Sequence, residues 1–237
     1  MEPNIFCFHF AGGSKYSYRQ FISLAADNLR FIPIELPGRG ARVRETLLTD
    51  MEMMADDLLD QIRNRLDVPY AIYGHSMGAL LAYMVTVRII RMGLNKPLHL
   101  FVSGCEGPSA ARSTKGISAL PREEFIRKVE AMGGFPDDLL RQPEIINFFE
   151  PILRSDFQSV ETYNYEPTTK LDLPITVMIG DDEQVKYKEA CEWRQETTHD
   201  IEIKIFPGKH FFIFEHTQEI INNISSSLGL GIAAKNP

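Results

Sequence analysis

A Gly-x-Ser-x-Gly motif at residues 74–78 places Ser76 at a spacing that suits a serine nucleophile. The motif follows the apolar run Tyr70–Tyr73 and precedes a stretch of helical periodicity at Met77–Met92. A serine held in a sharp strand-to-helix turn needs neighbours without bulk two residues away on each side. Ser76 would then lie at a helix N-terminus, where free N–H groups and the helix dipole favour developing negative charge. The alternative interpretation is an ordinary glycine-rich turn.

A nucleophilic serine needs a base, and the chain contains six histidines. In open parallel α/β sheets, functional sites lie at the carboxyl ends of the strands. His210 meets this condition because it follows the apolar run Ile201–Phe206 through a Pro-Gly-Lys turn. The others fall before or inside strands, within the Ser76 turn, beside the last helix or, for His9, in the wrong chain order. We therefore predict that His210 is the general base.

The carboxylate that orients the base should follow the run Ile175–Ile179, where three acids are adjacent in sequence. Composition cannot separate Asp181, Asp182 and Glu183. We favour Asp182, keep Asp181 as the alternative, and expect the two unused acids to be solvated loop charges. The resulting chain order of serine, acid and histidine is that of α/β-hydrolases.

Six short apolar runs, rich in β-branched and aromatic residues, predict the strands that must position these groups. They are Ile5–Phe10, Phe31–Leu36, Tyr70–Tyr73, Leu98–Ser103, Ile175–Ile179 and Ile201–Phe206. Stretches with helical periodicity lie between most of them, which predicts right-handed βαβ crossovers. The expected fold class is therefore α/β, an α/β-hydrolase with a mostly parallel sheet flanked by helices.

One long interval interrupts the alternation of strands and helices. Its periodicity predicts helices at Arg122–Met132, Asp137–Arg141 and Glu144–Tyr163. Insertions of this length usually form a lid over the site, with packing decoration as the alternative. We predict a single domain over residues 1–237, with a helical lid at residues 107–170 inserted within it.

Charge and cysteine usage restrict the partners and the compartment. With 25 Lys and Arg against 32 Asp and Glu, the net charge of −7 argues against nucleic acid or an acidic membrane as partner. Cys7, Cys105 and Cys191 lie far apart and show no metal-ligand spacing. The chain carries no recognisable signal peptide or apolar run long enough to span a membrane. We expect a cytoplasmic monomer with no metal and no cofactor of its own.

Five stretches, in order along nearly the whole chain, resemble the type II thioesterases. These are free-standing α/β-hydrolases that accompany polyketide and non-ribosomal peptide synthetases. The stretches are FHFAGGS at 8–14, LPGRGAR at 36–42, GHSMG at 74–78, GDD at 180–182 and FPGKHFF at 206–212. The acidic loop departs from the family pattern, which usually has Asp-Pro, because Glu183-Gln184 follows Asp182 here. Counting back from Val185 nevertheless supports Asp182.

The resemblance implies hydrolysis of acyl thioesters on the phosphopantetheine arm of acyl or peptidyl carrier proteins. Removing stalled or wrong acyl groups would be an editing role in polyketide or non-ribosomal peptide antibiotic biosynthesis. Ser76 would attack the carbonyl, His210 would take its proton and later activate water, and Asp182 would hold the imidazole. The N–H groups of Met77 and Ala11 would form the oxyanion hole.

Two further positions are candidates for binding substrate. Gly12 belongs to the small run Ala11–Gly13, which lets the backbone approach a ligand closely. Arg39 clusters with Arg42 and Arg44 after the second strand, and a guanidinium matches phosphate geometry. Arg39 would meet the pantetheine phosphate or an acidic carrier surface. The alternative is a solvated or internally paired loop.

Two other functions compete with this hypothesis. The same three side chains serve a carboxylesterase or lipase acting on free small esters, because fold does not determine substrate. The chain could also be a catalytically inactive hydrolase fold used as a binding module, although such a module need not keep all three groups.

Overall fold

Six parallel strands form one sheet in the computed structural model, which describes residues 2–26, 28–110, 115–133 and 142–230. The strands are β1 (Asn4–Phe8), β2 (Arg30–Pro33), β3 (Tyr70–His75), β4 (Leu100–Ser103), β5 (Ile175–Gly180) and β6 (Glu202–Phe206). Their spatial order is β2-β1-β3-β4-β5-β6, and every neighbouring pair is parallel. All six predicted strands are present, and the predicted fold class is confirmed.

Eight α-helices lie within the described residues. They are α1 (Arg19–Leu24), α2 (Met51–Ile62), α3 (Met77–Arg91), α4 (Arg122–Met132), α5 (Pro143–Thr162), α6 (Tyr187–Ala190), α7 (Phe212–Glu215) and α8 (Thr217–Ser227). The helix predicted at Glu189–Thr197 is a short α6 followed by a 3₁₀ turn at Cys191–Gln195. The helix predicted at Asp137–Arg141 lies outside the described residues. None of the described helices has the length and apolarity needed to cross a bilayer.

Helices cover both faces of the sheet, and each face has its own apolar cluster. On one face α2 and α3 pack through residues such as Met54, Leu58 and Leu81. Asp50 begins α2 as its N-cap, accepting the Met53 N–H at 3.0 Å. On the other face α8 packs through Ile220 and its neighbours. Burial on both faces explains why the strands are almost continuously apolar.

The parallel register brings the carboxyl ends of β1, β3, β5 and β6 to one edge. The loops after β5 and β6 are also bonded to each other there. Asp181 donates its N–H to the Phe206 carbonyl at 2.9 Å, and its carboxylate accepts the Gly208 N–H at 2.9 Å. Asp182 donates its N–H to the Gly208 carbonyl at 3.0 Å. These bonds hold together the two loops that carry the predicted acid and base.

Two cap helices, α4 and α5, lie between β4 and β5 in the chain. They share a third apolar cluster that includes Phe125 and Val129 from α4 and Leu153 and Phe157 from α5. The helix predicted at Arg122–Met132 is confirmed with the same bounds. The helix predicted at Glu144–Tyr163 is confirmed within one residue at each end. That residues 107–170 act as a lid on a single domain stays a prediction.

Buried histidines make the stability of this fold sensitive to acid. Burial lowers the pKa of His99 to about 4 and that of His9 to about 3, with Arg39 adding to the effect at His9. Burial, followed by the nearby His210, also holds the pKa of His75 well below its ordinary value. These rings are neutral in the folded chain and become protonated first in the unfolded chain. Their stabilisation is therefore complete above about pH 6.5 and is lost as the pH falls toward the folded pKa values.

We expect the free energy of unfolding to decrease by about 1.4 kcal/mol per pH unit for each such histidine as the pH falls below about 6.5. Urea unfolding at several pH values measures this slope. His99→Gln should remove about one third of it, because glutamine does not titrate. Equal slopes for His99→Gln and the wild type would contradict the assignment.

Candidate active site

Ser76 stands at a strained turn between β3 and α3. Its backbone angles are φ 56° and ψ −120°, and no other non-glycine residue in the described ranges has a positive φ. Such a conformation costs on the order of 1–3 kcal/mol and persists only where the surroundings enforce it. The Ser76 N–H donates to the Ser103 carbonyl of β4 at 2.8 Å, which ties the turn to the neighbouring strand. The strained serine predicted from the motif is therefore present.

The two glycines of the motif are required by close backbone contacts. A side-chain Cβ at Gly74 would overlap the Gly78 carbonyl group, and one at Gly78 would overlap the Phe8 carbonyl group of β1. Helix α3 consequently begins directly against the sheet. This approach leaves Ser76 at the edge where β1 and β3 end.

His210 lies on the loop after β6, and its partner is Glu183. The His210 Nδ1 atom is 2.8 Å from Glu183 Oε2, and the Glu183 side chain is fully buried. The other carboxylate oxygen, Oε1, accepts the Gly180 N–H at 2.6 Å. The carboxylate is thus held by the end of β5 on one side and meets the imidazole on the other.

The predictions of Asp182, and of Asp181 as its alternative, for the acid that holds His210 are therefore corrected. Both residues are exposed, and the Asp181 carboxylate instead accepts the Gly208 N–H. Glu183, expected to be a solvated loop charge, is instead the buried member of the three. The backbone N–H groups of residues 181 and 182 bond to Phe206 and Gly208, which holds both residues at the outside of the turn after Gly180. Of the three adjacent acids, only Glu183 is buried.

A usable signal for Glu183 was the apolar residue that follows it by two positions. Val185 is buried, as is Glu183, whereas Asp182 and Gln184 are exposed. The family spacing counted back from Val185 points to Asp182, whereas the alternation of buried and exposed residues over 183–185 selects Glu183. The longer glutamate side chain also reaches both Gly180 and His210 from one backbone position.

His75, next to the serine in the motif, packs against His210. The two ring centroids are 4.8 Å apart, and His75 is completely buried. Its Nδ1 atom lies 2.9 Å from Ser103 Oγ. A Cβ at Gly104 would lie 2.6 Å from His75 Cε1 and 3.0 Å from His210 Cε1, so only glycine leaves room for both rings. His75 is therefore a buried packing partner of the His210 ring and does not face solvent.

Ser76 and His210 line the same cavity, which has a volume of about 480 Å³. The Glu183 loop forms part of the wall, and the cap helices supply apolar side chains opposite. The apolar lining includes Leu80, Val129, Leu153, Phe157 and Val160. Lys186 and Lys209 also line the cavity. The cavity therefore brings the Ser76 hydroxyl and the His210 imidazole to one apolar chamber.

Two backbone N–H groups are available at the cavity for an oxyanion. Met77 is the first residue of α3, so its N–H has no acceptor within the helix. Among the described residues no acceptor is paired with the Ala11 N–H, and both residues line the cavity. The structure thus brings the predicted donors Met77 and Ala11 to one cavity with Ser76.

Gly12 and Arg39 do not occupy the substrate positions predicted for them, and both predictions are corrected. The Gly12 N–H donates to Asp156 Oδ2 of α5 at 2.8 Å. Arg39 is 2% exposed and forms a bidentate ion pair with the same carboxylate. Its neighbour Arg42 is paired with Glu45 and Asp57. Arg39 and Arg42 are therefore paired within the protein, as in the alternative stated above.

No group of three or more His, Cys, Asp or Glu within the described part of the chain is arranged to hold a metal ion. The chemistry available to this site from its own residues is that of a hydroxyl, an imidazole and a carboxylate, together with two backbone donors. Such a set is suited to acyl transfer.

Comparison with known proteins gives consistent matches over the whole chain. The model of the thioesterase domain family matches residues 3–228. The gramicidin S biosynthesis protein GrsT of Aneurinibacillus migulanus is 32% identical over 233 residues, covering 98% of this chain and 91% of GrsT. Thioesterase PikA5 of Streptomyces venezuelae is 30% identical, covering 94% of this chain and 79% of PikA5.

Solved structures agree with the sequence matches. ClbQ from the colibactin NRPS/PKS pathway superposes with a TM-score of 0.92 at 30% identity, covering 97% of this chain and 98% of ClbQ. BorB, the type II thioesterase from the borrelidin biosynthetic cluster, gives a TM-score of 0.89 at 31% identity, covering 96% and 93%. The chain therefore belongs to the thioesterase family and has its α/β-hydrolase fold.

Proposed function

We propose that this chain is a type II editing thioesterase, which hydrolyses acyl groups from the phosphopantetheine arm of acyl or peptidyl carrier proteins in polyketide or non-ribosomal peptide biosynthesis. The observation that carries the proposal is the cavity in which Ser76 and His210, backed by Glu183, meet an apolar chamber. Relatives from biosynthetic pathways of this kind match almost the full chain.

In the proposed mechanism the Ser76 Oγ attacks the thioester carbonyl while His210 Nε2 takes the hydroxyl proton. The negative oxygen of the tetrahedral intermediate accepts bonds from the Met77 and Ala11 N–H groups. The C–S bond then breaks, and His210 returns the proton to the leaving pantetheine sulfur. Water attacks the resulting acyl-enzyme with His210 as base, which releases the carboxylic acid and regenerates Ser76.

Glu183 serves this cycle by holding the imidazole in one tautomer. With Nδ1–H donated to the Glu183 carboxylate, Nε2 is left unprotonated for Ser76. The buried carboxylate also stabilises the imidazolium that forms when the proton is taken. Its second bond, from the Gly180 N–H, keeps it from rotating away.

The composition of the cavity supports an acyl substrate attached to a larger carrier. Apolar side chains from both cap helices, such as Val129 and Phe157, can surround an acyl chain. Lys209 is exposed and lies next to the base in sequence. It is available to meet the phosphodiester of a pantetheine arm, the role first assigned to Arg39. The proposed substrate carries the phosphopantetheine, so the enzyme needs no cofactor of its own.

Covalent labelling tests whether Ser76 is the nucleophile. A fluorophosphonate probe should modify the wild type once, and Ser76→Ala should be neither labelled nor active. Because the hydroxyl contributes little packing, we expect the variant to unfold at the wild-type temperature within about 1–2 °C. An unlabelled wild type would instead favour the non-catalytic binding module.

Substitutions at two neighbouring acids test whether Glu183 is the partner of His210. Glu183→Gln should lower kcat by about 10³-fold or more, because the amide cannot stabilise the imidazolium or enforce its tautomer. Asp182→Asn, one residue away and exposed, is the matched control and should keep kcat within about twofold. Steady-state hydrolysis of a soluble acyl thioester measures both. The opposite ranking of the two variants would restore Asp182 to the site.

A panel of acylated carrier proteins, followed by mass spectrometry, tests the substrate class. We expect loss of acyl groups from the carriers at a higher kcat/KM than for a p-nitrophenyl ester of the same acyl chain. Lys209→Glu should raise KM several-fold for carrier substrates and leave a small soluble acyl thioester unaffected. The reason is that only the carrier presents a phosphodiester and an acidic surface to this lysine.

Lys170→Glu provides the control for the change in net charge, because Lys170 is exposed and precedes β5 at the opposite edge of the sheet. It should behave like the wild type on every substrate. Faster turnover of the free ester than of every carrier would favour the carboxylesterase.

A further inference from the structure

A buried ion pair joins the second cap helix to the edge of the sheet. Asp156 of α5 is completely buried, and Arg39 on the loop after β2 is nearly so. The guanidinium contacts both carboxylate oxygens, with Nη1–Oδ2 at 2.5 Å and Nη2–Oδ1 at 2.7 Å. Charges are buried in this way only when they are well paired, and the bidentate geometry fixes the orientation of the carboxylate.

The same carboxylate anchors the loop that offers an oxyanion donor. Asp156 Oδ2 accepts the Gly12 N–H at 2.8 Å, and Arg39 Nη1 lies 3.5 Å from the Gly13 carbonyl oxygen. The loop is closed by a bond from the Gly13 N–H to the Phe10 carbonyl at 2.9 Å. Ala11 lies inside this closed loop and at the cavity wall. Its peptide plane is therefore restrained by contacts to its immediate neighbours.

We propose that Asp156 is a positioning residue, which uses its pairing with Arg39 to hold the Phe10–Gly13 loop so that the Ala11 N–H faces the developing oxyanion. This inference rests on the proposed function. Oxyanion donors act only if they are in place before charge develops, and a displacement of about 1 Å can cost about 10²-fold in rate. Because Asp156 belongs to α5, its carboxylate links the loop that offers the oxyanion donor to a helix that lines the cavity.

Neighbouring side chains on one side of α5 make separate contacts, as expected for residues three and four apart in a helix. Leu153 and Phe157 line the cavity, whereas Asp156 points to the Arg39 loop. Ser155 donates its hydroxyl to the Leu48 carbonyl at 2.6 Å, so this turn of α5 is fixed to the strand-end loops by neutral contacts as well. Loss of the ion pair therefore need not detach the helix.

Two double variants separate positioning from simple stability. Asp156→Asn with Arg39→Gln removes both charges but keeps an amide oxygen to accept the Gly12 N–H. Asp156→Leu with Arg39→Met replaces the pair by apolar side chains of similar size, a change that is often neutral for stability but removes the anchor. Glu150→Gln, which breaks ion pairs elsewhere on α5, is the matched control.

We expect the apolar pair to lower kcat by about 10–100-fold with KM within about twofold, and to weaken binding of an acyl trifluoromethyl ketone by a similar factor. The amide pair and Glu150→Gln should stay within about threefold of the wild type. If the apolar pair does not fold, Asp156→Asn alone provides the test. It should lower kcat several-fold, and adding Arg39→Gln should restore it, because the Asn amide then has a complementary partner.

An apolar pair that folds and keeps wild-type kcat would overturn the inference, as would a loss seen in KM alone. Failure to restore kcat in the amide pair would do the same. Fluorophosphonate labelling of the wild type separates these results from failure of the proposed function. A labelled wild type with unaffected variants rejects only the role of Asp156, whereas an unlabelled wild type rejects the serine mechanism itself.

Discussion

The close approach of helix α3 to strand β1 is the constraint on which the site depends. Two carbonyl groups, from Gly78 and Phe8, occupy the space that side chains at Gly74 and Gly78 would need. The chain can therefore pass from β3 to α3 in one residue, and that residue is forced into a positive φ. Ser76 carries the strain, which the surrounding sheet and helix maintain because both are firmly packed. Its hydroxyl is thereby fixed at the edge of the sheet before any substrate arrives.

The acid and the base are brought to this edge by two loops that act as one unit. Backbone bonds from Asp181 to Phe206 and from Asp182 to Gly208, with the Asp181 carboxylate accepting the Gly208 N–H, join the two loops beyond the end of the sheet. An acid with a purely structural role thus holds the loops together, and Glu183 contacts His210 across the junction. Adjacent carboxylates have different surroundings because the chain turns after Gly180, which leaves Asp181 and Asp182 exposed and buries Glu183.

Helix α5 is joined to the edge of the sheet that carries Ser76 by the Asp156–Arg39 ion pair as well as by apolar packing. Side chains of α5 roof the cavity, and the carboxylate of Asp156 reaches down to Arg39 and the Gly12 N–H. Arg39, whose guanidinium could bind a phosphate, is therefore already paired with Asp156. Lys209, in contrast, is exposed and lines the cavity.

Much of this architecture followed from local patterns. The six apolar runs predict the strands, because a parallel sheet buried on both faces needs nearly continuous apolar residues. The spacing around Ser76 predicts the strained turn, and the position of His210 after the last strand predicts its loop. Predictions that needed side-chain partners were less successful. Glu183 replaces Asp182 beside His210, and both Arg39 and Gly12 bind Asp156 rather than lining the substrate cavity.

The sequence by itself determined the order of strands and helices, the turn that exposes Ser76 and the loop that carries His210, since each depends on residues close together in the chain. The tertiary structure decided which of three adjacent acids turns inward and which charge pairs with Arg39. Asp156 is 117 residues from Arg39 in sequence, and no local pattern relates them. Burial selects such partners, because a charge removed from water is stable only beside a group that the fold places within hydrogen-bonding distance.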